Sequence, residues 1–195
     1  YMIPVILLSD GYIANGSEPW KIPDIASLPK IETQLTKKKD GFAPFKHDNA
    51  ILARPWALPG TPGMEHRVGG LEKWDNTGHV SYDPDNHQKM VELRQEKVDI
   101  IANDIPLAKP FGKNTGDLLI IGWGGTHGAI RSAVEYAQKE GISISHIHLR
   151  YLNPLPKNLG EILVKFKKIL IPELNLGQLA LIIRAKFLID VISLC

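Results

Sequence analysis

Cysteine is nearly missing: Cys195 is the only one in 195 residues. This excludes an internal disulfide, and with it any iron–sulfur or zinc site built on several thiolates of this chain. No apolar run approaches the ~20 residues that cross a bilayer. The first residues lack the basic-then-apolar layout of a signal peptide. Charge of one sign is missing too. Twenty-three Lys and Arg against 21 Asp and Glu leave a net +2, which marks neither a nucleic-acid footprint nor a membrane surface. A cytoplasmic location is the default expectation.

What the chain does have is proline and glycine, placed where they break regular structure. Between residues 15 and 62, Pro19, Pro23, Pro29, Pro44, Pro55, Pro59 and Pro62 prevent long helices and central strands. Irregular chain of this length inside a protein is usually functional or spread over a neighbour's surface. Trp20, Trp56 and Trp74 fall in or just after it, large aromatics that need something to plug into. Ahead of it, residues 3–8 read as a buried strand ending in the turn Ser9-Asp10-Gly11. The following hundred residues offer that strand few neighbours. Residues 190–195 likewise read as a strand with no helix to cover it. The chain is therefore expected to be a piece cut through sheets at both ends.

The second half is organised around the stretch from Asp117 to Val134. Leu118, Leu119, Ile120 and Ile121 form the unbroken apolar run of a strand covered on both faces. Gly122, Gly124, Gly125 and Gly128 follow. Ala129, Ile130, Ala133, Val134 and Ala137 then recur at helical spacing. Gly141 suits a helix end, and Glu135 and Lys139 are placed to pair four apart. Residues 142–149 read as a second strand and residues 156–166 as a helix with Leu159, Ile162, Leu163 and Phe166 inward. Residues 169–171 read as a third strand. Asn175 and Gln178 form a capping-box variant ahead of Leu179, Ile182, Ile183 and Phe187. This alternation implies an α/β domain with a parallel sheet and right-handed crossovers. Upstream, Asp83-Pro84 opens a helix to about residue 103 with a narrow stripe of Met90, Val91, Val98, Ile101 and Ala102. Residues 105–116 are the linker between the halves.

Two places carry candidate chemistry. Residues 60–88 concentrate Glu65, His66, Arg67, Glu72, Asp75, His79 and His87. Their spacing matches no zinc pattern, and a glycine-hinged loop whose charged groups pair with each other or with a partner is the better reading. The glycine turn is the second. A dinucleotide site wants Gly-x-Gly-x-x-Gly with an acid ending the next strand. Here Gly122 and Gly124 are present, but the last glycine is one residue late, at 128, and the strand ends in Arg150. An NADP-binding module using Gly122, Gly124 and Arg150 is one alternative, and a ligand-free structural piece is another. Packing glycines are favoured, with Gly124, Thr126 and His127 as weak anion-site candidates. No catalytic residue and no metal site is expected.

Longer motifs carry a resemblance. Pro4-Val-Ile-Leu-Leu-Ser-Asp-Gly-Tyr-Ile-Ala-Asn15, Gly60-Thr-Pro-Gly63, His66-Arg-Val-Gly-Gly-Leu-Glu72 and Val80-Ser-Tyr-Asp-Pro-Asp-Asn-His87 are similar to the alpha subunit of 2-oxoacid:ferredoxin oxidoreductases. Gly122-Trp-Gly-Gly-Thr-His-Gly-Ala129, His148-Leu-Arg-Tyr-Leu-Asn-Pro-Leu-Pro156 and Pro172-Glu-Leu-Asn-Leu-Gly-Gln-Leu179 fit the same family. The likeness is strongest to the 2-oxoglutarate type, 2-oxoglutarate synthase.

The resemblance implies oxidative decarboxylation of a 2-oxoacid on thiamine diphosphate to an acyl-CoA, with electrons passed to ferredoxin. It implies a beta subunit holding the diphosphate, its Mg²⁺ and an iron–sulfur cluster, with none of these bound by this chain. The implied division is residues 1–15 as the last strand of a thiamine pyrimidine-binding-like domain, and 16–116 as an irregular linker with one helix at about 84–103. Residues 117–195 would then form a three-layer, transketolase C-terminal-like α/β domain. On this basis His66, Arg67 and Glu72 are the interface or cleft candidates, and the segment's own part is architectural.

Overall fold

The computed structural model describes residues 1–33 and 35–195. Its contacts divide the chain into two units. One comprises residues 1–5 and 19–101, and the other residues 6–18 and 102–195.

In chain order the elements are helix α1 (Gly11–Asn15), the two-residue strands β1 (Leu35–Thr36) and β2 (Trp56–Ala57), and helix α2 (Pro84–Ile100). Strand β3 (Gly116–Trp123), helix α3 (His127–Lys139), strand β4 (Ile144–Leu149) and helix α4 (Leu159–Leu163) follow. Strand β5 (Phe166–Pro172), helix α5 (Gln178–Phe187) and strand β6 (Ile192–Leu194) complete the second unit.

The second unit is the α/β domain that the alternating pattern predicts. Its sheet has the order β4-β3-β5-β6, and every pairing is parallel. The unbroken apolar run of β3 is explained by layers on both sides. Leu119 and Ile121 face α4 and α5, in a core with Ile147, Ile171, Leu159, Leu163 and Ile183. Ile120 faces the other way, packing with Ile130 and Val134 of α3 and with Ile144. Each fully buried aliphatic side chain of this kind contributes about 1.5–3 kcal/mol relative to exposure.

Several elements differ from expectation in extent. The helix expected at 156–166 is a single turn and a half, Leu159–Leu163, because Phe166 already belongs to β5 and pairs opposite Gly116. Backbone pairing in the sheet there outweighs the helical spacing of the side chains. The outward pair on α3 is Arg131 with Glu135, at 2.5 Å, rather than Glu135 with Lys139. Ala129 and Ala133 are exposed, so the buried face of α3 is narrower than its apolar stripe. Gly141 takes φ +80° just beyond the helix, the left-handed ending that glycine permits.

Residues 3–8 do not form the expected strand. Val5 is 86% and Leu7 89% exposed. An apolar run becomes a strand only where another strand accepts its backbone hydrogen bonds, and among the described residues none pairs with it.

In the first unit the expected irregular stretch is largely that, with β1 and β2 pairing in parallel over two residues each. Helix α2 begins as its residues dictate. Asp83 Oδ1 accepts from the Asn86 amide at 2.7 Å, and Pro84 occupies the first helical position. The helix ends at Ile100 and a 3₁₀ turn covers Ile101–Asn103, matching the expected stop near 103.

Candidate functional site

The polar stretch of residues 60–88 is not an open loop. Lys73 and Val80 form an antiparallel bridge, the Trp74 amide donates to the His79 carbonyl at 2.7 Å, and the Ser81 amide donates to the Glu72 carbonyl at 2.9 Å. The result is a small hairpin seated on the start of α2. Asn86, buried in the first turn of α2, donates from Nδ2 to the Lys73 carbonyl at 2.9 Å and accepts from the Asp75 amide at 3.1 Å.

The charged groups pair within this hairpin and helix. Glu72 Oε2 accepts from His87 Nδ1 at 2.9 Å, and Arg94 reaches both carboxylate oxygens at 3.3 and 3.4 Å. Burial alone would raise the Glu72 pKa, but these donors together hold it below the ordinary carboxylate value. Asp75 is treated the same way by Lys89 and by His47 at 3.2 Å, and it too lies below its usual value. Lys73 is only 4% exposed, and its ammonium group donates to the carbonyls of Gly69 and Leu71.

Of the three cleft candidates, the structure separates one from the others. His66 and Arg67 line a small depression with Phe42, Glu65, Thr77 and His79. His66 Nδ1 donates to the Met64 carbonyl at 2.8 Å, and its ring meets Phe42 edge-on. Glu72 instead lines a larger cavity with His47, Arg54, Arg94 and Lys97. Among the described residues no three His, Cys, Asp or Glu side chains stand close enough to hold a metal ion.

The glycine turn of the second unit is a 3₁₀ turn, Gly124–Thr126, entered at Gly124 with φ +59°. The Asp10 carboxylate lies against Gly125: a Cβ added there would fall 2.0 Å from Asp10 Oδ2. A carboxylate on this turn repels the pyrophosphate that a dinucleotide-binding turn receives. Thr126 is also engaged, its hydroxyl donating to the Trp123 carbonyl at 2.8 Å. Gly122 is the packing glycine, since a Cβ there would sit 2.4 Å from Ile130 Cδ1. His127, at the start of α3, meets two other imidazoles. Its ring centroid lies 4.7 Å from that of His148 and 5.8 Å from that of His146.

Trp123, half-buried at the end of β3, is tied to a buried acid. Its indole Nε1 donates at 3.1 Å to Glu173, a carboxylate only 4% exposed. Glu173 also accepts from the Leu179 and Ala180 amides at 2.9 and 3.0 Å and from Asn175 Nδ2 at 3.1 Å. Asn175 Oδ1 in turn accepts from the Gly177 and Gln178 amides, the Asn half of the expected capping-box variant, while Gly177 takes the N-cap position of α5. Burial would raise the Glu173 pKa, but the four donors prevail and hold it low. Sequence reasoning missed Glu173, whose signal was a lone acid inside an apolar strand-to-helix passage. It also missed His146 and His148, whose alternation on β4 puts both on one face of the sheet.

Residues 116–192 match the family model of the pyruvate:ferredoxin oxidoreductase core domain II. The chain is 52% identical over 99% of its length to the 2-oxoglutarate oxidoreductase subunit KorA of Mycobacterium tuberculosis. Over nearly its whole length the chain is similar to alpha subunits of the 2-oxoacid:ferredoxin oxidoreductases.

Other alpha subunits of this family are more distant. A 2-oxoacid:ferredoxin oxidoreductase alpha subunit from Aeropyrum pernix is 31% identical over 94% of the chain. The 2-oxoglutarate synthase subunit KorA of Methanothermobacter marburgensis is 26% identical over 92%. The chain spans 29% of the mycobacterial relative's length and 47% of the methanogen's. A solved structure of the 2-oxoglutarate:ferredoxin oxidoreductase from Magnetococcus marinus matches 89% of this chain and 31% of its own, with TM-score 0.79 at 28% identity.

Proposed function

We propose that this alpha-subunit segment works within a thiamine-diphosphate-dependent oxidoreductase that converts a 2-oxoacid, 2-oxoglutarate in this reading, and coenzyme A to the acyl-CoA and passes the electrons to ferredoxin. The observation that carries the reading is the agreement between 52% identity to a 2-oxoglutarate oxidoreductase subunit over 99% of the chain and a TM-score of 0.79 to a 2-oxoglutarate:ferredoxin oxidoreductase. In such enzymes the cofactor carries the hard chemistry and protein supplies orientation and electrostatics.

This segment's part is architectural. Cys195 alone cannot ligate a cluster, and no grouping of three acidic, cysteine or histidine side chains among the described residues fits a metal ion. In this reading thiamine diphosphate, Mg²⁺ and the cluster are held on other polypeptide, the beta subunit foremost, as the family resemblance implies. The partners are that subunit and ferredoxin, with neither nucleic acid nor membrane, and the setting is cytoplasmic. No helix among the described residues is long and apolar enough to cross a membrane. Residues 1–15 and the irregular stretch after them serve as the subunit-wrapping portion. Exposed Ile6, Leu7, Trp20, Ile22 and Ile31 supply the apolar surface for it.

The test is a viologen- or ferredoxin-reduction assay of the complete assembly. Reduction that needs both 2-oxoglutarate and coenzyme A, and exceeds that with pyruvate, supports the reading. Loss of dependence on coenzyme A, or preference for pyruvate, overturns the substrate assignment. Arg67→Ala examines the cleft: altered assembly or turnover keeps His66 and Arg67 as interface residues, and unchanged values for both remove them.

A further inference from the structure

The second unit has a cavity of about 500 Å³ between the N-terminal half of α3, the end of β4 and the segment of residues 106–111. The segment is fixed there by two backbone hydrogen bonds between Phe111 and His146, at 2.7 and 3.0 Å. Its polar wall is cationic or titratable throughout: His127 and Arg131 from α3, His146 and His148 from β4, Arg150 just after it, and Lys109 from the segment. No carboxylate lines it. Asp10, against Gly125, is outside this lining, and Glu135 reaches it only through the Nε of Arg131. The Arg131 guanidinium lies over the Phe111 ring at 3.1 Å, a stacked position that holds it at the mouth of the cavity.

The floor carries a second, independent sign of a ligand. His146 is 2% exposed, yet its Nε2 has no hydrogen-bond partner, and neither has Nδ1 of His148. Buried polar atoms are nearly always paired, and each unpaired one carries a desolvation cost. Here both residues line one cavity, their rings 6.2 Å apart and each within 6 Å of the His127 ring. Burial, then the neighbouring imidazoles and Arg131, hold His146 down at about 4, and burial, then His127 and Arg150, hold His148 below its ordinary value. Both are therefore neutral at pH 7, each with a ring N–H to donate.

We propose that this cavity binds a phosphate-bearing anion, with Arg131 and His127 at the mouth and His146 and His148 donating from the floor. Two guanidinium groups, an ammonium and three imidazoles exceed what one carboxylate engages and suit a multiply charged phosphoryl group. Phe111 and Tyr151 leave an apolar side for whatever body carries it. The anion reverses the field at the imidazoles and favours their protonated forms. Binding therefore takes up protons, and affinity falls as pH rises between the low pKa of the free histidines and the higher pKa of the bound ones. This assignment stands on the cavity alone and is independent of the reaction proposed above.

The experiment is titration calorimetry on the complete, cofactor-loaded assembly with pyrophosphate, orthophosphate, ADP and citrate, in two buffers of different ionisation enthalpy at pH 6 and 7.5. Expected is saturable pyrophosphate or ADP binding with proton uptake, tighter at pH 6 and weakened about tenfold or more by Arg131→Gln, a surface change. His148→Gln is expected to flatten the pH dependence. Orthophosphate matching pyrophosphate identifies a single-phosphoryl site, and ADP exceeding both identifies a nucleotide site; either supports the proposal. Binding that Arg131→Gln leaves unchanged, citrate binding as tightly as pyrophosphate, or no saturable heat with any phosphate would overturn it.

Discussion

At the scale of single residues, Glu173 shows how a buried charge is made tolerable. An unpaired carboxylate at 4% exposure would be strongly unfavourable, and four donors make it instead a cap for the first turn of α5. Glu173→Gln retains the shape but loses the charge-assisted bonds, and is expected to lower unfolding stability by roughly 1.5–3 kcal/mol. The pH dependence has a definite sign. The folded pKa lies below the ordinary 4.5, so the contribution is complete above that value and is lost as pH falls through the folded pKa. Denaturant unfolding at pH 7 and near pH 3.5 should therefore show a steeper acid loss in the parent than in Glu173→Gln. Equal losses would mean the carboxylate gains nothing from its partners. His146 acts in the same direction through its neutral form: held at about 4 against the ordinary 6.5, it makes the fold less stable as pH falls between those two values, with no further loss below about 4.

At the scale of elements, two junctions hold their parts by close approach. Gly122, next to last in β3, sits where Ile130 of α3 packs down, and a Cβ there would meet Ile130 Cδ1 at 2.4 Å and Thr126 Oγ1 at 2.9 Å. Gly122→Ala should lower stability by ~1–3 kcal/mol through overpacking, seen as a lower melting temperature. An unchanged one would show that Ile130 swings aside freely. Asn86 joins α2 to the hairpin of residues 72–81 through two hydrogen bonds. Asn86→Ala leaves the Lys73 carbonyl and the Asp75 amide without their partner, a loss of ~1–3 kcal/mol with faster amide exchange at Asp75 as its local signature. These elements differ in legibility. The start of α2 was plain from Asp83 and Pro84 because a cap is local chemistry. The brevity of α4 was hidden because Phe166 fits a helical face equally well, and its place was decided by β3 across the sheet.

At the scale of the whole chain, the second unit buries a two-sided core while residues 5–8, 20–22 and 31 leave apolar side chains in water. If those residues wrap a partner subunit, their amides should exchange slowly in the complete assembly. Adding mild denaturant to dissociate it should release them before β3 exchanges. Fast exchange at residues 5–31 in the intact assembly would remove the wrapping role. The same comparison bears on the predicted strand at residues 3–8, whose pairing cannot arise from its own apolar pattern.

The sequence by itself determined the parallel α/β unit and the capped start of helix α2. Each rests on contacts between residues near in the chain or on the period of apolar side chains. Only the tertiary structure decided that Glu72 stands apart from His66 and Arg67, that Asp10 closes on the glycine turn, and that His127 meets His146 and His148. Those meetings join residues far apart in the chain, and spacing along a sequence carries no distance until strands are set side by side.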